Sequence, residues 1–153
     1  MGSSTIEGGE FLYDVAVNFT RVTEYGVTMQ ALLDAETPLP PAGARFDIAF
    51  EGSVRGPKLA GTVVGVDYLH ARADRRIQLH IHAQITTDDG DNIAFFADGI
   101  AVPQDGTSAA RLHESGTFMT ASPRYLSLNQ VQVWGQGTVD PVKGEVRIKA
   151  YAA

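Results

Sequence analysis

Two histidines stand two residues apart in the run Gln78-Leu79-His80-Ile81-His82-Ala83-Gln84. On a β-strand such residues share a face, about 6–7 Å apart, so His80 and His82 belong to one polar row with Gln78 and Gln84. An imidazole titrates near neutrality and serves as general acid, general base or metal ligand. Asp67, in Gly65-Val66-Asp67-Tyr68, offers a carboxylate that can orient an imidazole or take a proton itself. The expected proton-transfer residue is His82, with His80 and Asp67 in support. The histidine row faces either solvent or an interior pocket, and the alternation alone leaves both open. A metal site needs a third and usually a fourth ligand. Nothing downstream of His82 supplies the glutamate and later histidine of a cupin-type H-x-H site, although His70, His113, Glu51 and Asp67 could converge in three dimensions. A metal-dependent reading on His80 and His82 therefore ranks below a metal-free pocket.

Other residues are candidates for holding a ligand rather than transforming it. Arg124 is suited to gripping a ligand oxygen, with Asn129 adding an amide, and Glu51 is a further polar candidate. Tyr68 and Trp134 offer flat walls to a ring-containing molecule. Each competes with an ordinary packing role. Asp88-Asp89-Gly90-Asp91 has the composition of a tight turn and lacks the spacing and later glutamate of a calcium loop. No glycine-rich phosphate loop and no G-x-S-x-G elbow occurs, so neither a nucleotide cofactor nor serine hydrolase chemistry is implied, and no cofactor is expected.

Composition narrows the class further. Twelve basic against eighteen acidic residues, a net charge of −6, is the wrong balance for a protein that neutralises phosphates, so no nucleic-acid partner is expected. With no cysteine, disulfides, thiolate metal sites and cysteine nucleophiles are excluded. No apolar run approaches the roughly 18 residues of a spanning helix, and the start of the chain has no basic segment followed by an apolar one. The expectation is a cytoplasmic protein with no membrane partner.

The elements that must carry these residues are strands. Phe11, Tyr13, Val15, Val17 and Phe19 alternate with Asp14, Ala16 and Asn18, the period of a half-buried strand. Val27–Leu33 is ambiguous between strand and short helix, and Pro38, Pro40 and Pro41 mark a loop or edge after it. Further strands are expected from 46 to Gly52, 58–69, 75–87, 93–102, 124–137 and 145–151, with 108–114 as one short helical stretch. Gly61 and Gly65 share a face within their strand, which suits either strong curvature, as in a barrel, or a close approach to another backbone. The 153 residues make one domain. The reading is all-β: a closed antiparallel β-barrel of about eight to nine strands with one short helical turn, residues 10–153, preceded by a flexible segment, 1–9.

Three ordered blocks carry a resemblance. Gly52-Ser53-Val54-Arg55-Gly56-Pro57-Lys58-Leu59-Ala60-Gly61 followed by Asp67-Tyr68, then Thr87-Asp88-Asp89-Gly90-Asp91-Asn92-Ile93, then Pro123-Arg124-Tyr125-Leu126-Ser127-Leu128-Asn129, resemble the motifs of domain-of-unknown-function family 3237. The resemblance implies a small calycin-like barrel, similar to allene-oxide-cyclase barrels, with an interior pocket and a homodimeric assembly. It implies no settled chemistry. The chain departs from the family pattern at His80 and His82, where an Asp-x-Arg pair is common, so the role of that pair is not carried over.

The resulting expectation is a small-molecule-binding barrel that acts as a cofactor-independent acid–base enzyme, of the isomerase, lyase or cyclase kind, on a small apolar or aromatic oxygenated compound. The alternatives are a non-catalytic carrier barrel and the metal-dependent barrel.

Overall fold

The structure is a computed structural model that describes residues 6–153. Eight strands form one antiparallel meander: β1 (Phe11–Glu24), β2 (Ala44–Arg55), β3 (Ala60–Ala71), β4 (Ile77–Thr87), β5 (Asn92–Pro103), β6 (Ala110–Met119), β7 (Gln132–Asp140) and β8 (Glu145–Ala152). Each strand pairs with the next, and β8 pairs back onto β1 through Val17↔Val146 and Val15↔Ile148, closing the barrel. Closure leaves no open edge for another chain to extend.

Alternation decides which side chains fill the interior. On β4, Leu79, Ile81, Ala83 and Ile85 point inward, and on β1, Tyr13, Val15, Val17 and Phe19 do the same. A one-residue slip would expose every one of these, so the apolar phase fixes the register. The paired glycines mark a close approach of β3 to its neighbours. A Cβ at Gly61 would lie 2.1 Å from the Thr86 carbonyl oxygen, and one at Gly65 would lie 2.5 Å from that of His82 and 2.8 Å from the Phe50 ring. No side chain fits where the backbones come that close.

Three expectations about elements change. Residues 108–114 do not form a helix: Ala110–Met119 is β6, because Ala110, Leu112, Gly116 and Phe118 hold the inward phase of a strand. The helical character lies elsewhere, in a five-residue α1 (Met29–Leu33) and a 3-10 helix η1 (Pro123–Gln130). Thr28 caps α1, its Oγ1 accepting from the Ala31 N–H at 3.1 Å. Pro123 starts η1, where its missing N–H costs nothing, and strand structure resumes only at Gln132. β2 also continues past Gly52 to Arg55.

At the chain start, the first five residues of the expected flexible segment lie outside the described residues. Within 6–9, Ile6 packs against the core and the Gly9 N–H donates to the Ala152 carbonyl at 2.7 Å.

Candidate functional site

The interior is not completely filled. A cavity of about 120 Å³ lies within the barrel, walled by Val15, Val63, Leu79, Ile81, Leu112, Val133, Ile148 and neighbours from all eight strands. Among the described residues only two charged side chains border it, Asp67 from β3 and Glu114 from β6, and Tyr13 from β1 also lies on its wall. Both acids occupy inward positions of otherwise apolar strand faces: Val63, Gly65, Asp67, Leu69 on one, Leu112, Glu114, Gly116, Phe118 on the other.

Asp67 is built into the wall. Its Oδ1 accepts the backbone N–H of His80 at 3.0 Å, and the continuous β3–β4 pairing lapses beside it, between Asp67↔Ile81 and His70↔Gln78. Burial raises its carboxyl to about 6, against the smaller opposing influences of the His80 N–H and the His80 imidazole. Glu114 is 8% exposed, and its environment is dominated by desolvation, followed by repulsion from Asp67; together these push its carboxyl to about 7. Tyr13, 3% exposed, is held well above the ordinary phenol range by burial and then by the charge of Glu114. Gly135 on β7 lies beside Glu114: a Cβ there would press on Ile148 Cγ2 at 3.2 Å and touch Glu114 Oε1 at an ordinary 3.7 Å.

Two like charges in an apolar chamber repel and are poorly solvated, so near neutrality the pair favours holding one proton between them. One carboxylic acid beside one carboxylate can donate a proton at one atom of a bound molecule and accept one from another.

Of the residues singled out by sequence, Asp67 alone lines this cavity. The histidine row faces outward, because the apolar phase of β4 takes the interior. His80 is 56% exposed at its side chain, with Nδ1 2.6 Å from Asp98 Oδ1, and its Nε2 lies 3.2 Å from His82 Nε2. His82 sits edge-on to Tyr68 and Phe96, at 5.5 and 5.2 Å between ring centroids, on the outer surface. His80 makes its direct contact with the chamber wall through its backbone N–H, which Asp67 accepts, while its ring acts on Asp67 only through charge. Among the described residues no three His, Asp or Glu side chains converge to hold a metal ion.

The expected ligand contacts are likewise external or structural. Tyr68 lies on the outside, with the Arg45 guanidinium 5.6 Å from its ring centroid, and Trp134 is 43% exposed on the outer face of β7. Glu51 is exposed. Arg124 does not face an apolar interior; it pairs with Asp89 at 2.5 Å, and Tyr125 OH donates to the same carboxylate at 3.1 Å. These contacts tie η1 to the β4–β5 turn. Asn129 clamps Thr120, accepting its N–H at 2.9 Å and donating to its carbonyl at 2.7 Å.

Glu114 was missed because its segment was read as helical. Read as a strand, 110–118 places a carboxylate in the apolar phase, and that signal would have found it.

Comparison with known proteins agrees with this architecture. The chain is 35% identical over 85 residues to the hydroalkoxylation enzyme phnH of Penicillium herquei, a match covering 55% of this chain and 50% of that protein. It thus spans about half the length of the curated relative it matches. Among solved structures, a β-barrel-like protein from Acinetobacter baumannii AYE superposes with a TM-score of 0.76 at 22% identity, covering 99% of this chain and 98% of that one. An enzyme from Penicillium herquei superposes with a TM-score of 0.64 at 23% identity, covering 98% and 99%. These two likenesses show the fold. The family pattern described as "Protein of unknown function (DUF3237)" matches residues 22–153, and the chain, with its closed eight-stranded antiparallel barrel, belongs to that family.

Proposed function

We propose that this barrel is a cofactor-independent acid–base enzyme that adds a hydroxyl group across a carbon–carbon double bond within one small, mostly apolar molecule. The observation that carries the reading is the pair of carboxyls, Asp67 and Glu114, facing an otherwise apolar cavity and both raised toward neutrality. The relationship to a hydroalkoxylation enzyme supports the choice of reaction.

Glu114, the higher of the two, carries the proton. It protonates one alkene carbon, so that a C–H bond forms as the π bond breaks, and the substrate hydroxyl oxygen attacks the other carbon. Asp67 takes the hydroxyl proton as the C–O bond closes. The product is a cyclic ether with the same atoms as the substrate. Transfer of the proton from Asp67 back to Glu114 restores the starting state, so no redox partner is consumed. The apolar walls exclude water, which would otherwise compete for the developing cation. Tyr13, its phenol held neutral, is placed to orient the substrate oxygen.

A non-catalytic carrier would use the same apolar walls but leaves two costly buried acids without a role. The test is a panel of hydroxy-alkenes, beginning with 2-allylphenol, in D₂O. Ring closure with one deuterium placed on carbon is expected. Glu114→Gln and Asp67→Asn should each lower kcat by about 10²–10⁴. Tight binding of the panel with no conversion of any member would favour the carrier.

A further inference from the structure

We infer that the substrate has two parts, a reacting unit held beside Asp67 and Glu114 and a larger unreactive apolar part held in a second chamber beneath α1, through which it enters. The inference rests on the reading of the inner cavity as the reaction chamber. A second cavity of about 220 Å³ lies at the end of the barrel where α1 crosses it. The two cavities share Phe19, Ile48, Leu69, Ala101 and Val139, so they meet at one ring of side chains. An apolar cavity of about 150 Å³ accommodates benzene, so the inner chamber suits roughly a single ring or its equivalent. The outer one has nearly twice that volume.

The outer walls match an uncharged hydrocarbon part with a polar rim. Met29, Leu32 and Leu33 of α1 form one side, while Thr107 and Ser108 stand opposite at the loop after β5. Arg75, the cation bordering the chamber, is already engaged: its guanidinium donates to the carbonyls of Leu32 and Asp34 at 2.8 and 2.9 Å, and to that of Thr37. A carboxylate on the ligand would have to compete with those bonds, which favours a neutral ligand. Ala101 is the smallest of these shared side chains, so the way between the chambers is closed most easily by enlarging that residue. At the other end of β6, η1 packs against the strand and places Leu128 in the core, leaving the α1 end as the way in.

The experiment uses N-phenyl-1-naphthylamine, an uncharged probe too large for the inner chamber alone, whose fluorescence rises on burial. The wild-type protein should bind it. Leu33→Arg, at a position 41% exposed and so tolerant of change, and Ala101→Phe should each weaken binding at least about tenfold. Benzene, a single ring of the size the inner chamber suits, should keep its affinity in Leu33→Arg and lose it in Ala101→Phe. Absence of probe binding by the wild type, or unchanged binding in both variants, would overturn the inference. Glu114→Gln should retain probe binding within about twofold, so the two-chamber arrangement can stand even if no hydroxy-alkene is converted, and that outcome would refute only the reaction.

Discussion

Replacing Glu114 with Gln should make the protein more stable, but only at higher pH. In the folded chain this carboxyl titrates at about 7 against an ordinary 4.5. Between those values the native state keeps a proton that the unfolded chain has released, so stability falls as pH rises. The favourable contribution is complete below about pH 4.5 and gone above about pH 7. A displacement of about 2.5 units, at 1.36 kcal/mol each, amounts to about 3 kcal/mol. Gln has nearly the same shape and does not titrate. Relative to wild type, the variant should therefore gain about 3 kcal/mol between pH 4 and pH 8. Urea unfolding followed by far-UV circular dichroism at pH 4, 6 and 8 measures this. With slopes of about 1–3 kcal/mol per molar urea, the midpoint advantage at pH 8 should be about 1–3 M larger than at pH 4. Some pH dependence should remain in the variant, because Asp67 is also raised, to about 6. If the two stability curves ran parallel across this range, Glu114 would be an ordinary solvated acid and the proton-transfer argument would fail.

Turnover should follow a bell-shaped pH profile with its maximum between about 6 and 7, where the Asp67–Glu114 pair holds one proton; a flat profile from pH 5 to 8 would exclude the pair as donor and acceptor. His82→Ala should change kcat by less than about twofold, since the ring lies on the outer surface, and a hundredfold loss would require the histidine row to reach the substrate. Gly135→Val should cost about 1–3 kcal/mol by thermal unfolding and also reduce kcat, because the new side chain crowds Ile148 and the Glu114 carboxylate; an unaltered kcat would show that the chamber tolerates displacement of Glu114.

The barrel was legible because its signal is repeated on almost every strand: Phe11 to Phe19, Leu79 to Ile85 and the glycine pair on β3 each point to a curved, one-side-buried sheet. The site was less legible, for a reason rooted in the same alternation. A period of two separates two faces without saying which is inside, so a row of histidines drew attention that belonged to the opposite phase. The apolar face of β4 wins the interior because leaving Leu79, Ile81 and Ile85 in water would cost far more than leaving two imidazoles there. Asp67 is singled out by its place on a glycine-bearing strand and by the family resemblance, while its partner Glu114 lies 47 positions on in sequence and is brought near only by the path of β4 and β5 between them. Arg124 and Asn129 were read as ligand contacts because a guanidinium and an amide seek partners, and the structure supplies those partners from the chain itself.

The pairing of β8 with β1 has a consequence for how the protein comes into being. Every other ladder joins neighbours in sequence and can form as soon as its two strands exist, whereas this one joins residues about 130 apart, such as Val15 and Ile148. Until it zips, the meander is an open sheet whose apolar face has no opposite wall, and the two acids sit in water with ordinary affinities for protons. The raised proton affinities of Asp67 and Glu114 therefore depend on closure, when the most distant segments of the polypeptide meet. A ribosome-bound chain lacking β8 would carry both cavity acids and almost every lining side chain, yet not the closed apolar chamber that shifts their titration.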